Sequence, residues 1–135
     1  MTTTEKGNVA LTQAIAYFGI HNYIISIPLN DSQWYDLIVE KDNIFQSVQV
    51  KYTGEQNDNG LYICPLRTIS GTTRKKIYSI KDTAVDLLFC YCQNGLKFLI
   101  PVKEIKTSNT ILLFDEKNKC LNKKILDTSK FLVCE

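Results

Sequence analysis

The sequence is poor in the residues that build zinc sites. Its 135 residues contain one histidine, His21, and five cysteines with no Cys-x-x-Cys pair. A zinc finger, a zinc knuckle and an HNH-type nuclease site all need more ligands than this. We therefore interpret His21 as structural and the cysteines as reduced core thiols. Cys90 and Cys92 are two residues apart, so they share one face of a predicted strand.

The chain also lacks long apolar runs and a large charge of either sign. No run approaches the ~18 apolar residues of a membrane span, and residues 1–7 are too polar for a signal peptide. We therefore expect a cytoplasmic protein with no membrane partner. The formal net charge of +2, from 16 Lys+Arg and 14 Asp+Glu, excludes a polybasic tail protein. The length fits one domain over residues 1–135, since domains usually span ~100–200 residues.

The apolar pattern predicts one helix followed by several strands. Apolar residues at helical spacing predict the helix over residues 9–20. Strands are predicted at 23–28, 34–40, 45–52, 61–69, 87–91, 97–101 and 110–114, a helical turn at 82–88 and a short helix at 102–105. The turn at 41–43 joins two of these strands as a hairpin. This order is typical of an α/β fold with a mixed sheet flanked by helices.

The predicted hairpin brings an acidic residue close to two polar residues. Asp36 lies on the first strand, and Gln49 and Lys51 share one face of the second. A carboxylate and an amide oxygen are ligands for a hard cation such as Mg²⁺, which polarises phosphoryl oxygens and activates water. A neighbouring lysine stabilises developing negative charge. The alternative is that these side chains only form a solvated face.

These segments, in this order, resemble small PD-(D/E)XK nucleases of the restriction-endonuclease fold. Lys6-Gly7 leads into the helix, SIPLNDSQWYDLIVEKD contains Asp36, and FQSVQVKYT contains Gln49 and Lys51. Within that fold the chain is most similar to homing endonucleases encoded in bacterial group I introns, of the cyanobacterial tRNA-intron type. The resemblance covers residues 5–53, and the second half matches only in its general strand pattern.

The resemblance implies a Mg²⁺-dependent endonuclease, with Mn²⁺ or Ca²⁺ as substitutes. It implies that Asp36 and Gln49 bind the metal and that Lys51 is the catalytic lysine. Relatives carry an acidic residue in the helix at the position of Leu11. Because leucine cannot ligate a metal or act as a base, we hypothesise that Leu11 inactivates this chain. The alternative, from its helical phase with Ile15, is a core residue that faces the sheet.

One short segment carries most of the positive charge. Residues 66–81 contain five basic and no acidic residues, so they carry +5 and the rest of the chain −3. A β-hairpin extension within about 61–81 is therefore our candidate for contacting double-stranded DNA. The candidates are Arg67 and Arg74 for bases, Lys75 and Lys76 for phosphates, and Ser70, Thr72 and Thr73 as hydroxyl donors. The alternative is a basic solvated loop.

The size of the chain bears on how it would cut DNA. A domain of this length has a radius of gyration of about 14 Å and covers roughly ten base pairs. Cutting both strands of a long site therefore requires a homo-oligomer, a dimer or a tetramer. Two alternatives to a homing endonuclease remain open: a Holliday-junction resolvase or repair nuclease of the same fold, and a catalytically inert DNA-binding module.

Overall fold

A computed structural model describes residues 1–30, 34–70, 76–119 and 122–134. In this part of the chain there is one α-helix, α1, over Thr3–Ile20. It starts six residues before the predicted boundary at residue 9, because the Thr2 hydroxyl accepts a hydrogen bond from the Glu5 amide and caps the first turn. It ends where the amide of His21 donates to the carbonyl of Tyr17.

Ten strands follow α1 in the described residues. They are β1 Ile24–Ser26, β2 Leu37–Lys41, β3 Ile44–Thr53, β4 Tyr62–Pro65, β5 Arg67–Ser70, β6 Lys76–Ser79, β7 Leu87–Cys92, β8 Lys97–Pro101, β9 Thr110–Leu113 and β10 Leu132–Val133. Single 3-10 turns lie at Ile80–Asp82, Val102–Glu104, Glu116–Asn118 and Thr128–Phe131. The helical turn predicted at 82–88 is wrong, because a turn ends at Asp82 and β7 starts at Leu87. The predicted strand at 61–69 divides at Leu66 into β4 and β5.

Six strands form the main sheet, in the order β1-β2-β3-β7-β8-β10. β3 and β7 are parallel, and the other neighbours are antiparallel, so the predicted mixed sheet is confirmed. The predicted hairpin of β2 and β3 is also confirmed, with Leu37 paired to Val48 and Lys41 to Ile44. Asp42 and Asn43 in its turn both have positive φ, as a type I′ hairpin turn requires.

Each face of the sheet has its own apolar core. On one face, Ala14 and Phe18 of α1 pack on a layer of sheet residues, which are Leu37, Val39, Val48, Leu87 and Phe89. On the other face, Leu88 and Phe98 pack against the two-stranded sheet of β4 and β9. Because side chains alternate along a strand, β3 presents Val48 and Val50 to α1, and Gln49 and Lys51 to the opposite side. In the described residues the sheet is thus flanked by one helix and one small sheet.

Three of the five cysteines are core thiols, as the sequence suggested, whereas the exposed Cys134 contradicts that expectation. Cys64, Cys90 and Cys92 are free and fully buried in the core between the main sheet and the sheet of β4 and β9. The sulfur atoms of Cys64 and Cys90 lie 3.4 Å apart, and burial raises the pKa of Cys92 to about 12. Cys134 is exposed, and Cys120 lies outside the described residues. The thiol of Cys92 is therefore uncharged at neutral pH.

β5 and β6 form a separate two-stranded ribbon between β3 and β7 in sequence. Arg67 pairs with Ser79 at one end and Ser70 with Lys76 at the other. We call the end at Arg67 and Ser79 the root of the ribbon. No helix of the described residues is long and apolar enough to cross a membrane.

The packing under α1 predicts a large difference between two phenylalanines of the main sheet. Phe89 is fully buried and lies near the rings of Tyr17 and Phe18, whereas Phe45 is 65% exposed. We expect Phe89→Ala to reduce the free energy of unfolding by about 3–5 kcal/mol, and the control Phe45→Ala by less than ~0.5 kcal/mol. Urea denaturation measures both, and equal losses would contradict the described core.

Candidate active site

Asp36 lies at the point where β2 and β3 separate. Its amide donates to the carbonyl of Val48 over 2.8 Å, and its Oδ2 accepts from the amide of Val50, also over 2.8 Å. The ladder between the two strands begins one residue later, with Leu37 opposite Val48. The carboxylate therefore takes the acceptor position that a longer β2 would fill with a backbone carbonyl. This bond fixes the carboxylate against the edge of β3.

The surroundings of Asp36 raise the pKa of its carboxyl group. The residue is exposed, but protein atoms around its carboxyl group remove enough water to raise the pKa above the ordinary aspartate value. The hydrogen bond from Val50 and the charge of Lys51 act in the opposite direction. Because desolvation is the largest effect, the ionised form is held at an energetic disadvantage, which a bound cation would relieve.

Lys51 approaches the same place from β3. It is half-buried, pairs in register with Cys90 of β7, and its ammonium donates to the carbonyl oxygen of Arg67 over 3.5 Å. Its charge acts on the carboxyl group of Asp36, where it lowers the pKa. An ammonium and a carboxylate therefore lie in one electrostatic environment where β2 and β3 separate, next to the root of the ribbon. The ammonium can bind and polarise a phosphate group, and the carboxylate can hold a cation that does the same.

Gln49 lies on the same side of the sheet as Lys51. It is 7% exposed and pairs with Leu88 of β7, and alternation places it on the same face as Lys51. Gln49 and Asp36 offer oxygen donors, which Mg²⁺, Mn²⁺ and Ca²⁺ prefer. Among the described residues, no group of three or more His, Cys, Asp or Glu side chains is placed to hold a metal. The donors present therefore fit a hard cation that keeps several of its waters.

Leu11 lies on the other side of the sheet. It is half-buried on α1 and packs, with Ile15, against the helix-side core that contains Val48. Gln49 and Lys51 point away from this core. The structure thus brings Asp36 and Lys51 together and places Leu11 in the packing between helix and sheet.

Of the residues predicted to contact DNA, Arg67, Ser70 and Lys76 lie on the ribbon. Arg67 is exposed at the root, where its Nε donates to Oδ1 of Asn109 over 2.7 Å. Ser70 and Lys76 are paired at the other end. Thr72, Thr73, Arg74 and Lys75 lie outside the described residues. The antiparallel pairing of β5 with β6 is the extension that the basic segment suggested.

Sequence reasoning missed two contacts that hold the ribbon beside Asp36 and Lys51. The first is the bond from Arg67 to Asn109, which are 42 residues apart. The second joins the rings of Trp34 and Tyr78, with centroids 4.7 Å apart in an edge-on arrangement. The aromatic pair Trp34-Tyr35 next to Asp36 is the one local feature that hinted at such packing. Nothing near Asn109 in sequence indicates its role.

The sequence profile of the PD-(D/E)XK endonuclease family matches residues 1–134. The chain is also similar to the solved structure of a bacterial homing endonuclease, I-Ssp6803I, at 21% identity and a TM-score of 0.78. That match covers 98% of this chain and 89% of the other. At this identity the likeness shows a shared fold, and no curated protein matches the chain significantly.

The raised pKa of Asp36 predicts how stability depends on pH. Because the folded state holds the proton more tightly than the unfolded state, folding is favoured below the ordinary aspartate pKa, and this contribution is lost as pH rises through the higher folded value. Asp36→Asn keeps an oxygen acceptor for Val50 and removes the charge. We expect its melting temperature to equal or exceed that of the wild type at pH 7, and its advantage to shrink in acid.

Asp42→Asn is the matched control, because Asp42 is exposed at the opposite end of β2 and asparagine tolerates its positive φ. Calorimetry of both variants between acid and neutral pH makes the comparison. A melting temperature for Asp36→Asn well below the wild type at pH 7 would show that the ionised carboxylate stabilises the fold.

Proposed function

The chain belongs to the PD-(D/E)XK endonuclease family, and we propose that it is a homing endonuclease. It would cut both strands of DNA at an intron-insertion site by metal-dependent hydrolysis of phosphodiester bonds. The observation that carries the proposal is the placement of Asp36 and Lys51 in one electrostatic environment, beside the root of a ribbon in the most basic segment of the chain. Its setting would be the bacterial cytoplasm.

In this mechanism each residue has a limited role. Asp36, in its ionised form, and Gln49 would hold Mg²⁺, with Mn²⁺ or Ca²⁺ as substitutes. The ion, when bound, would polarise the phosphoryl oxygen and lower the pKa of a bound water. The Lys51 ammonium would leave the Arg67 carbonyl for a phosphate oxygen, where it stabilises the charge that develops as water attacks phosphorus. The Val50 amide keeps the carboxylate in place while this happens.

The ribbon would supply most of the DNA contacts. Residues 66–81 carry +5, which suits the phosphate backbone. Base contacts would come from Arg74, and also from the terminal guanidinium nitrogens of Arg67, since its Nε already binds Asn109. Phosphate contacts would come from Lys75 and Lys76, with hydroxyl donors at Ser70, Thr72 and Thr73.

The chain would act as one nuclease domain over residues 1–135, with its DNA contacts within about 61–81. One such domain carries one Asp36 and one Lys51, so breaking both strands requires at least two copies. A two-fold symmetric dimer, or a tetramer built from two dimers, would present one site to each strand.

A second candidate function has its own support. Asp36 supplies the one charged ligand that we assign to the site, and position 11 holds leucine. Both features are expected of a DNA-binding module that keeps the fold without the chemistry.

Selection from a random duplex library in Ca²⁺, followed by transfer to Mg²⁺, separates these candidates. We expect the protein to bind a preferred duplex as an oligomer and to cut both strands of that duplex. Asp36→Asn and Lys51→Met should each slow cleavage by at least about 10²-fold while binding persists, because both act on the reacting phosphate. The control Asp42→Asn should cut at the wild-type rate.

Other outcomes of this experiment point elsewhere. Binding without cutting supports the inert module. Preference for a four-way junction over every linear duplex indicates a resolvase. Sedimentation of the complex gives the number of subunits.

We also propose, from the family resemblance, that position 11 lacks an acidic group that the site needs, even though Leu11 itself packs in the helix-side core. Leu11→Glu should then raise Mg²⁺-dependent cleavage by about 10²-fold, the usual effect of one positioned acid or base. Ile15→Glu is the control, because it places the same charge one helical turn away in the same core. Equal rates for wild-type protein and folded Leu11→Glu would refute inactivation and leave Leu11 as a packing residue.

A further inference from the structure

We propose that Asn109 is a positioning residue for Lys51 and that it acts through Arg67. This inference rests on the proposed nuclease function, whereas the contacts from which it is argued are present whether or not the protein cuts DNA. It concerns how the ribbon that would contact DNA is joined to the lysine that would act on the phosphate.

Asn109 holds two consecutive residues at the root of the ribbon. Its side-chain Oδ1 accepts from Nε of Arg67 over 2.7 Å, and its backbone carbonyl accepts from the amide of Leu66 over 2.8 Å. Leu66 is fully buried, so one of the two bonds is anchored in the core and the other is exposed. Asn109 therefore fixes the direction in which the chain enters β5.

The other strand of the ribbon holds the root from the opposite side. The amide of Ile80 donates to the carbonyl of Leu66 over 2.8 Å, and Arg67 pairs in register with Ser79. Ile80 is 1% exposed. With these bonds in place, the peptide group of Arg67 has one orientation relative to the main sheet.

The carbonyl of Arg67 is the acceptor that Lys51 uses. The Nζ to oxygen distance of 3.5 Å is at the long limit of a hydrogen bond, so the ammonium is held weakly. The same ammonium also acts on the Asp36 carboxylate, since its charge partly opposes the desolvation that raises the pKa of Asp36. A small movement of the root would change the balance between these two partners. A phosphate oxygen is a stronger acceptor and would replace the carbonyl.

Binding of DNA to the ribbon would therefore change the position of the Lys51 ammonium through two hydrogen bonds. Arg67 belongs to both of them: its side chain binds Asn109, and its backbone carbonyl binds Lys51. In this arrangement the guanidinium of Arg67 fastens the root, in addition to any contact it makes with a base. Loss of the Asn109 side chain would remove the bond to the Arg67 guanidinium and loosen the root at Arg67, while the backbone bonds of Leu66 keep the ribbon attached and its DNA-contacting end unchanged.

The test reads Lys51 directly, without requiring activity. Protein labelled with ¹³C-lysine gives a Cε signal for Lys51, assigned with Lys51→Met. We expect Asn109→Ala to shift this signal, and Asn109→Asp to retain it because the carboxylate still accepts from Arg67. Ser108→Ala, at the exposed neighbouring position, is the matched control and should leave the signal in place.

A double-mutant cycle tests whether the effect passes through Arg67. Arg67→Lys keeps the charge and the carbonyl but removes the guanidinium Nε. If the route is correct, Arg67→Lys and Asn109→Ala shift the Lys51 signal by similar amounts, and the double variant adds little to either. Full additivity would show that Asn109 acts by another route.

Activity provides the second measurement. On a duplex that the wild type cuts, Asn109→Ala should slow single-turnover cleavage by about tenfold, as small misplacements of reacting groups do, with DNA affinity in Ca²⁺ little changed. An unshifted Lys51 signal in folded Asn109→Ala overturns this inference even if the wild type cuts DNA. A shifted signal in a protein that cuts no DNA keeps the inference and rejects the nuclease function.

Discussion

The parallel pairing of β3 with β7 is the interaction on which the rest of the structure depends. It runs from Val48 opposite Leu87 to Thr53 opposite Cys92 and lies in the middle of the main sheet. Because pairing with β7 fixes the orientation of β3, and side chains alternate along a strand, Val48 and Val50 face the helix-side core. Gln49 and Lys51 are thereby committed to the other side. The position of Gln49 and Lys51 in the candidate site therefore follows from the alternation of side chains along β3.

The site is built where this regular pairing stops. Asp36 accepts from Val50 at the position where a longer β2 would have continued the ladder. The fold therefore satisfies the backbone of β3 with a side chain that also carries a charge. Desolvation raises the pKa of that side chain, so the protein keeps a carboxylate in a place that does not favour it. Such local disadvantage is common where a group is kept for binding or chemistry.

Patterns in the local sequence predicted those features of the fold that depend on neighbouring residues. The hairpin of β2 and β3, the strands around residues 93–95 and the facing of Gln49 and Lys51 follow from turn residues and alternation. The start of α1 was placed too late, because the cap at Thr2 lies outside the apolar pattern. The pairing of β4 with β9 joins Cys64 to Ile111, and no periodicity records a contact between such distant segments. The link from Arg67 to Asn109 was missed for the same reason.

The two outer strands of the main sheet are short. β1 spans three residues, with Pro28 two residues after its end, and β10 spans two. A short edge followed by proline offers few free amides and carbonyls to another chain, which limits the growth of the sheet by addition of strands. The main sheet is therefore expected to resist edge-to-edge aggregation, and a contact made at the β1 edge has to use side chains such as that of the exposed Ile24.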